Sequence, residues 1–171
     1  MLPVVLCKKI ISYFDKDYED ARTYGGLDKD VRNCLTTDVL CGAETFGQKI
    51  CLNATQEKIF HCVKEYQKKY SIYIERISQL DLLKYEANDH KAGYKFHKDF
   101  GDNAPHRHLS ISIALNNDYE GGEFIFKTEN GELNIPQNEG DAVIFPSNFM
   151  FPHQVNKVTK GTRYALIGWV V

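Results

Sequence analysis

The run Leu109-Ser110-Ile111-Ser112-Ile113-Ala114-Leu115 alternates apolar residues with small or polar ones without a break. A period of two marks an extended strand with one face buried, and it excludes a helix. One such strand is not stable alone in water; it needs further strands beside it. The chain from residue 72 onward supplies them. Residues 80–86, 94–98, 123–128, 132–136, 141–146 and 162–171 all read as short strands bounded by polar turns. Asn130-Gly131 lies between two of them and predicts a type I′ hairpin. Many short strands of this kind predict a sandwich, barrel or jelly roll.

The first half follows a different grammar. Over residues 54–70, Ile59, Val63, Tyr66 and Tyr70 recur on one helical face. Asn53 stands where an N-cap belongs, and Gln56 completes the spacing of a capping box. Lys58, Lys64, Lys68 and Lys69 cover the wet side, so this helix is expected to buttress a sheet. Residues 1–6 are apolar but stop at Lys8 and Lys9; they read as an edge strand or strand start. Gly25-Gly26 reads as a turn, and residues 27–40 are broken by Asp28, Asp30 and Asn33. At 171 residues the chain fits one domain, with 1–79 as support and 80–171 as the strand-rich core.

Charge and composition exclude several roles. The net charge of −2 gives no field for nucleic acid or an anionic membrane. No stretch is long and apolar enough to span a bilayer, and the start lacks the order of a signal peptide, which predicts a cytoplasmic protein. The five cysteines, Cys7, Cys34, Cys41, Cys51 and Cys62, are odd in number and show no C-x-x-C spacing. Reduced thiols are the expectation. Cys62 follows His61, but neighbours on a helix diverge by about 100° and share no ligand face.

The chemistry concentrates in Tyr94-Lys95-Phe96-His97-Lys98-Asp99-Phe100. In a strand, positions i and i+2 share a face, so His97 and Asp99 point the same way. An imidazole beside a carboxylate can fill two adjacent positions on a metal. Two histidines and one carboxylate on one face of an octahedron suit non-haem Fe(II). Of the six histidines, His61 falls in the helix, and His90, His106 and His108 lie in or beside polar loops. His153 follows a strand and an apolar stretch within the sheet-rich half, which makes it the third ligand. Ten residues later, Arg163 opens the apolar run Tyr164-Ala165-Leu166-Ile167-Gly168-Trp169-Val170-Val171. An arginine there is costly unless paired. Its partner is either an internal acid such as Glu123 or Asp141, or a bound dicarboxylate, whose geometry matches a guanidinium.

These segments resemble the 2-oxoglutarate/Fe(II) dioxygenases, and more narrowly the prolyl 4-hydroxylase branch. The resemblance covers residues 80–171. It is carried by Leu83-Lys84-Tyr85, by Tyr94 through Asp99, and by Leu115-Asn116 with Tyr119-Glu120-Gly121-Gly122-Glu123-Phe124. Gly140-Asp141-Ala142-Val143-Ile144-Phe145-Pro146 and His153 through Gly161-Thr162-Arg163-Tyr164-Ala165 to Trp169 complete it. It implies a mainly β fold with flanking helices, the double-stranded β-helix or cupin-like jelly roll. It implies Fe(II) on His97, Asp99 and His153, with 2-oxoglutarate and O2 as cosubstrates and ascorbate as reductant. Arg163 falls on the position that grips the distal carboxylate of 2-oxoglutarate, and Tyr85 on a tyrosine that touches the cosubstrate. Tyr94, Arg107 and Trp169 fall near the substrate, with Phe145, Leu166 and Trp169 as apolar walls. The chain departs from the pattern by an insertion over 87–91, and by Arg163 where many collagen-type members carry lysine.

The function this implies is hydroxylation of an unactivated C–H bond, first of all in a prolyl residue of a peptide or protein. Another amino-acid side chain, a free small molecule, a non-catalytic jelly roll and a zinc site remain as alternatives. Nucleic-acid demethylases of this superfamily carry a second arginine where this chain has Trp169, which disfavours that branch.

Overall fold

A computed structural model describes residues 1–87, 92–101, 104 and 106–171. The chain begins with helix α1 (Val4–Phe14), then the short strands β1 (Glu19–Asp20), β2 (Arg32–Asn33) and β3 (Leu35–Asp38). Helix α2 (Phe46–Tyr70) follows. The strand-rich half runs β4 (Ile77–Glu86), β5 (Gly93–His97), β6 (Leu109–Ala114), β7 (Glu120–Gly121), β8 (Phe124–Thr128) and β9 (Gly131–Ile135). It closes with β10 (Ala142–Pro146), β11 (His153–Val155), β12 (Val158–Lys160) and β13 (Thr162–Val170).

The strands form a six-stranded sheet in the order β1-β3-β4-β13-β6-β10 and a five-stranded sheet in the order β2-β5-β11-β8-β9. β12 and β7 pair separately. The long strand β13 is the spine of the larger sheet, flanked by β4 and β6. Two apolar layers hold the assembly. One joins α1 and α2 to the outer face of the larger sheet through Ile10, Phe14, Ile59, Val63, Leu80, Leu82, Ile111 and Leu166. The other lies between the sheets and contains Leu83 and Tyr85 from one, with Phe124, Phe126 and Val155 from the other. Alternation along β4 and β13 assigns successive side chains to these two layers.

Several expectations from the sequence change here. Residues 4–14 are a helix and not an edge strand, because Cys7, Ile10 and Phe14 recur at helical spacing and are buried. The predicted helix over 54–70 begins earlier, at Phe46. Its cap is Thr45, whose Oγ1 accepts from Gln48 N at 3.2 Å while Gln48 Oε1 accepts from Thr45 N at 2.9 Å. Asn53 therefore sits inside the helix, and Tyr70, expected on the buried stripe, is 52% exposed. The polar stretch 27–40 contributes β2 and β3, because β3 gains β1 and β4 as partners on its two edges. The strand Leu109–Ala114 is buried on both faces, since helices cover one side and the second sheet covers the other. The β8–β9 hairpin forms, but Glu129 and Asn130 are its loop residues and Gly131 follows them at φ 110. Asn130 has no positive φ, so the turn is not type I′.

Removing the α2 cap tests that local assignment. Thr45→Ala should lower stability by about 1 kcal/mol in a denaturant titration with little change in m. A loss of that size at Asn53→Ala instead would return the helix start to residue 53.

Candidate active site

The cavity between the sheets is built from β4, β5, β11 and β13 and has a volume of about 460 Å³. β5 ends on His97, the chain turns out of the strand, and Asp99 follows two residues later. β11 starts on His153, which pairs directly with His97 across the β5–β11 ladder. That antiparallel register brings residues far apart in sequence to one point. His97 Nε2 lies 3.6 Å from Asp99 Oδ1, and His153 Nε2 lies 3.7 Å from Asp99 Oδ2. One donor atom from each residue lies within 4.8 Å of the others.

The hydrogen bonds set the two imidazoles for ligation. His97 Nδ1 is 2.9 Å from the Lys95 carbonyl, and His153 Nδ1 is 3.0 Å from the Phe151 carbonyl. A carbonyl only accepts, so each Nδ1 carries the proton and each Nε2 turns a lone pair toward Asp99. Burial, reinforced by His153, holds His97 down to about 3, so its imidazole is neutral at physiological pH. Burial pushes Asp99 upward, but His153 and His97 outweigh it and hold the carboxyl below its usual range. Ser110 Oγ donates to Asp99 Oδ2 at 2.6 Å and lies 2.8 Å from Ser147 Oγ. Tyr94 stacks on His97 with ring centroids 3.4 Å apart, and Phe145 stands edge-on to His153 at 4.8 Å. Two imidazoles and one carboxylate, with apolar rings behind them, form a donor set that fits Fe(II).

Arg163 lies further along β13, 1% exposed. Its Nε and Nη1 are buried and make no hydrogen bond. Neither internal acid considered as its partner reaches it among the described residues. Glu123 accepts from Asn156 Nδ2, and Asp141 accepts from Asn138. Tyr85 is its cross-strand partner, and the guanidinium carbon stands 5.3 Å from the Tyr85 ring centre. Burial and the neighbouring Cys34 thiol hold the Tyr85 phenol protonated, against the pull of Arg163. Gly122 borders the arginine: at φ +68, a Cβ there would come within 2.8 Å of Arg163 Cδ. A buried guanidinium with open donors fits an anionic ligand that supplies the missing acceptors.

The remaining expected residues line the mouth. Trp169 is 7% exposed, and the guanidinium carbon of Arg107 stands over its ring, 3.7 Å from the centre. Arg107 Nη2 donates to Gln79 Oε1 at 2.9 Å. Leu166, expected as a wall, faces the helices; strand alternation puts Ile167 on the cavity side. His61, His106 and His108 are exposed and away from the triad, and His90 falls outside the described residues, as does the insertion after Ala87. Sequence reasoning missed Ser110, Gln79, Asp81 and Arg32. Ser110 had a signal, since it occupies a polar position of the alternating strand. The others had none, because only strand pairing brings them to the cavity.

The profile of the 2OG-Fe(II) oxygenase superfamily matches residues 80–171, just over half of the chain. The chain belongs to that superfamily. A PKHD-type hydroxylase of Psychrobacter sp. (strain PRwf-1) is 48% identical over 64 residues, 36% of this chain and 24% of that protein. A PKHD-type hydroxylase of Crocosphaera subtropica is 29% identical over 126 residues, covering 72% of this chain and 53% of its own length. The chain thus spans between about a quarter and about half of these curated relatives. A prolyl 4-hydroxylase of Pseudomonas putida superimposes over 99% of this chain and 87% of its own, with a TM-score of 0.75 at 18% identity. A prolyl hydroxylase in complex with a hypoxia-inducible-factor peptide fragment, from Trichoplax adhaerens, covers 97% of this chain and 78% of its own. Its TM-score is 0.74 at 16% identity. These likenesses show the fold: the two facing sheets are the double-stranded β-helix of the superfamily.

Ser110 gives a first test of the metal centre. Ser110→Ala removes the hydroxyl that orients Asp99, and Fe(II) affinity should fall roughly 10–100-fold. An unchanged affinity in anaerobic titration would mean that Asp99 is not a ligand.

Proposed function

We propose that this chain is an Fe(II)- and 2-oxoglutarate-dependent dioxygenase that hydroxylates a prolyl residue of a peptide or protein. The observation that carries the proposal is the His97/Asp99/His153 donor set in the cavity, with a buried, unsatisfied Arg163 packed beside Tyr85 of the cavity wall. His97 Nε2, Asp99 and His153 Nε2 would hold the iron. Iron and 2-oxoglutarate, when bound, supply the oxidising power that inserts one oxygen atom of O2 into a C–H bond, with ascorbate as reductant.

The protein's own contribution is placement and shielding. The Lys95 and Phe151 carbonyls fix the ligand tautomers, and Ser110 fixes the carboxylate. Arg163 would take the distal carboxylate of 2-oxoglutarate, with the Tyr85 hydroxyl beside it. Both are buried, and low local dielectric strengthens that charge pair. Phe124 and Ile167 give the cavity wall apolar surface, and Phe145 packs against His153. Tyr94, Arg107 and Trp169 at the mouth would meet the substrate. No helix among the described residues is long and apolar enough to cross a membrane. A cytoplasmic location is part of the same proposal.

A zinc site would also use His and Asp, but it gives no work to Arg163. The test is anaerobic addition of Fe(II) and then 2-oxoglutarate. A weak visible charge-transfer band is expected, followed on admission of air by succinate formation. Prolyl peptides incubated with iron, 2-oxoglutarate and ascorbate should gain about 16 Da, one oxygen atom. A colourless mixture that makes no succinate would overturn the oxygenase; succinate without any gain in peptide mass would overturn the prolyl substrate.

A further inference from the structure

The mouth of the cavity carries an excess of positive charge that the iron and cosubstrate chemistry does not use. Arg22, Arg32, Lys98 and Arg107 line it, while Asp81 is the one acidic lining residue outside the triad among the described residues. Asp81 is already engaged, accepting from Gln79 Nε2 at 2.6 Å. Burial raises its pKa to about 6, against the pull of Gln79, Arg32 and Arg107, and it remains mostly ionised at neutral pH. None of the four cations forms an ion pair among the described residues. The exposed ion pairs of this chain, such as Lys160–Glu120 and Lys29–Asp20, lie elsewhere. The whole chain carries −2, so this positive patch is local and not part of a general basic surface.

Arg32 is the best-placed member. It comes from β2, outside residues 80–171, and β2 pairs with β5 so that Arg32 stands opposite Tyr94. Its guanidinium carbon lies 4.8 Å over the Tyr94 ring, and Nη1 donates to the Arg22 carbonyl at 2.8 Å. Its Nε is buried with no hydrogen-bond partner. The side chain is thus held in place from two sides while a buried donor is unsatisfied, as at Arg163. Arg107 is held in a similar way by Trp169 and Gln79. Asp81 offsets part of the charge of Arg32 and Arg107, and Asp99 part of that of Arg107, but the four cations outnumber these acids, and side chains already held in place lose little entropy on binding an anion.

We infer that the cavity mouth recognises an acidic segment, a peptide whose aspartate or glutamate side chains flank the residue to be hydroxylated. A cavity of about 460 Å³ admits a side chain with its neighbours but not a nucleic-acid duplex. This inference rests on the oxygenase reading only in treating the occupant as substrate. Recognition of the acidic segment itself is a binding property and can be measured without turnover.

The probes are three fluorescently labelled peptides with one central proline, flanked by glutamates, by glutamines or by lysines. Their dissociation constants are measured by anisotropy, anaerobically, on the protein loaded with Fe(II) and 2-oxoglutarate. The glutamate peptide should bind more than tenfold tighter than the lysine peptide, with the glutamine peptide between them. The preference should shrink as salt rises from 50 to 500 mM, on the screening expected for charges at a partly open site. Arg32→Gln should remove most of the preference, and Arg32→Lys should retain part of it. Arg22→Gln, at an exposed side chain, gives the same comparison if Arg32→Gln does not fold. Equal affinity for the three peptides, or a preference unaffected by both variants, overturns the inference. Air is then admitted. A glutamate peptide that is preferred but gains no oxygen leaves acidic recognition standing and overturns the prolyl reading. Hydroxylation of all three peptides with equal affinity does the reverse.

Discussion

Asp99→Ala should abolish turnover and strip the protein of iron. Asp99 supplies the only anionic donor of the set, and both imidazole Nε2 atoms converge on its carboxylate, at 3.6 and 3.7 Å. Two imidazoles alone make a weaker site for a hard divalent cation than two imidazoles and a carboxylate. Removing a group that merely orients a ligand costs roughly 10–100-fold in metal affinity, so removing the ligand should cost more than that. The fold should survive, because Asp99 lies beyond the end of β5 and its main partner is the Ser110 hydroxyl. The measurements are iron content after anaerobic loading and 2-oxoglutarate decarboxylation. His97→Ala should behave alike. Full decarboxylation by either variant would refute the ligand assignment.

Arg163→Ala should raise the apparent KM for 2-oxoglutarate by two orders of magnitude or more. Breaking a buried charge pair costs about 3–5 kcal/mol, and each 1.4 kcal/mol is a factor of ten. The same arginine also bears on the stability of the ligand-free protein. There, Nε and Nη1 are buried and unsatisfied, so the folded state already carries their desolvation cost. Arg163→Ala relieves that cost but also truncates one of the largest fully buried side chains, so the Tm of the ligand-free protein reports the balance of the two. Added 2-oxoglutarate should raise the Tm of the parent protein by linkage and fail to raise that of the variant. A variant with an unchanged KM, or one that 2-oxoglutarate stabilises as much as the parent, would mean that Arg163 is a structural residue.

Between them the two variants separate the halves of the site. The proposed metal end rests on the β5–β11 register, and the proposed cosubstrate end on the β4–β13 register. A deletion at one end should leave binding at the other measurable. Iron titration of Arg163→Ala, and 2-oxoglutarate protection of the fold in Ser110→Ala, are the natural cross-checks.

How far the sequence could be read depended on the range of the interactions involved. The period of two over Leu109–Ala114 is a local signal, and the strand is where it was expected. Its burial on both faces is not local, because the covering helices α1 and α2 come from the other end of the chain. The start of α2 was misplaced because Asn53 and Gln56 match the cap pattern as well as Thr45 and Gln48 do. The choice falls to Thr45 because Gln48 also donates to the Tyr13 carbonyl, a partner supplied by α1. Residues 1–6 looked like a strand because the apolar run was read without Ile10 and Phe14 beyond it.

The sequence by itself determined the spacing His97-x-Asp99, the isolated His153 with Arg163 ten residues on, and the period of the strands. These rest on covalent neighbours and on the two-residue repeat of a strand, which need no tertiary context. The tertiary structure decided which nitrogen of each histidine is presented, that no internal acid meets Arg163 among the described residues, and that Arg32 lines the cavity of the His97/Asp99/His153 set. Those facts depend on cross-strand register, where a shift of one residue would turn every side chain to the opposite face.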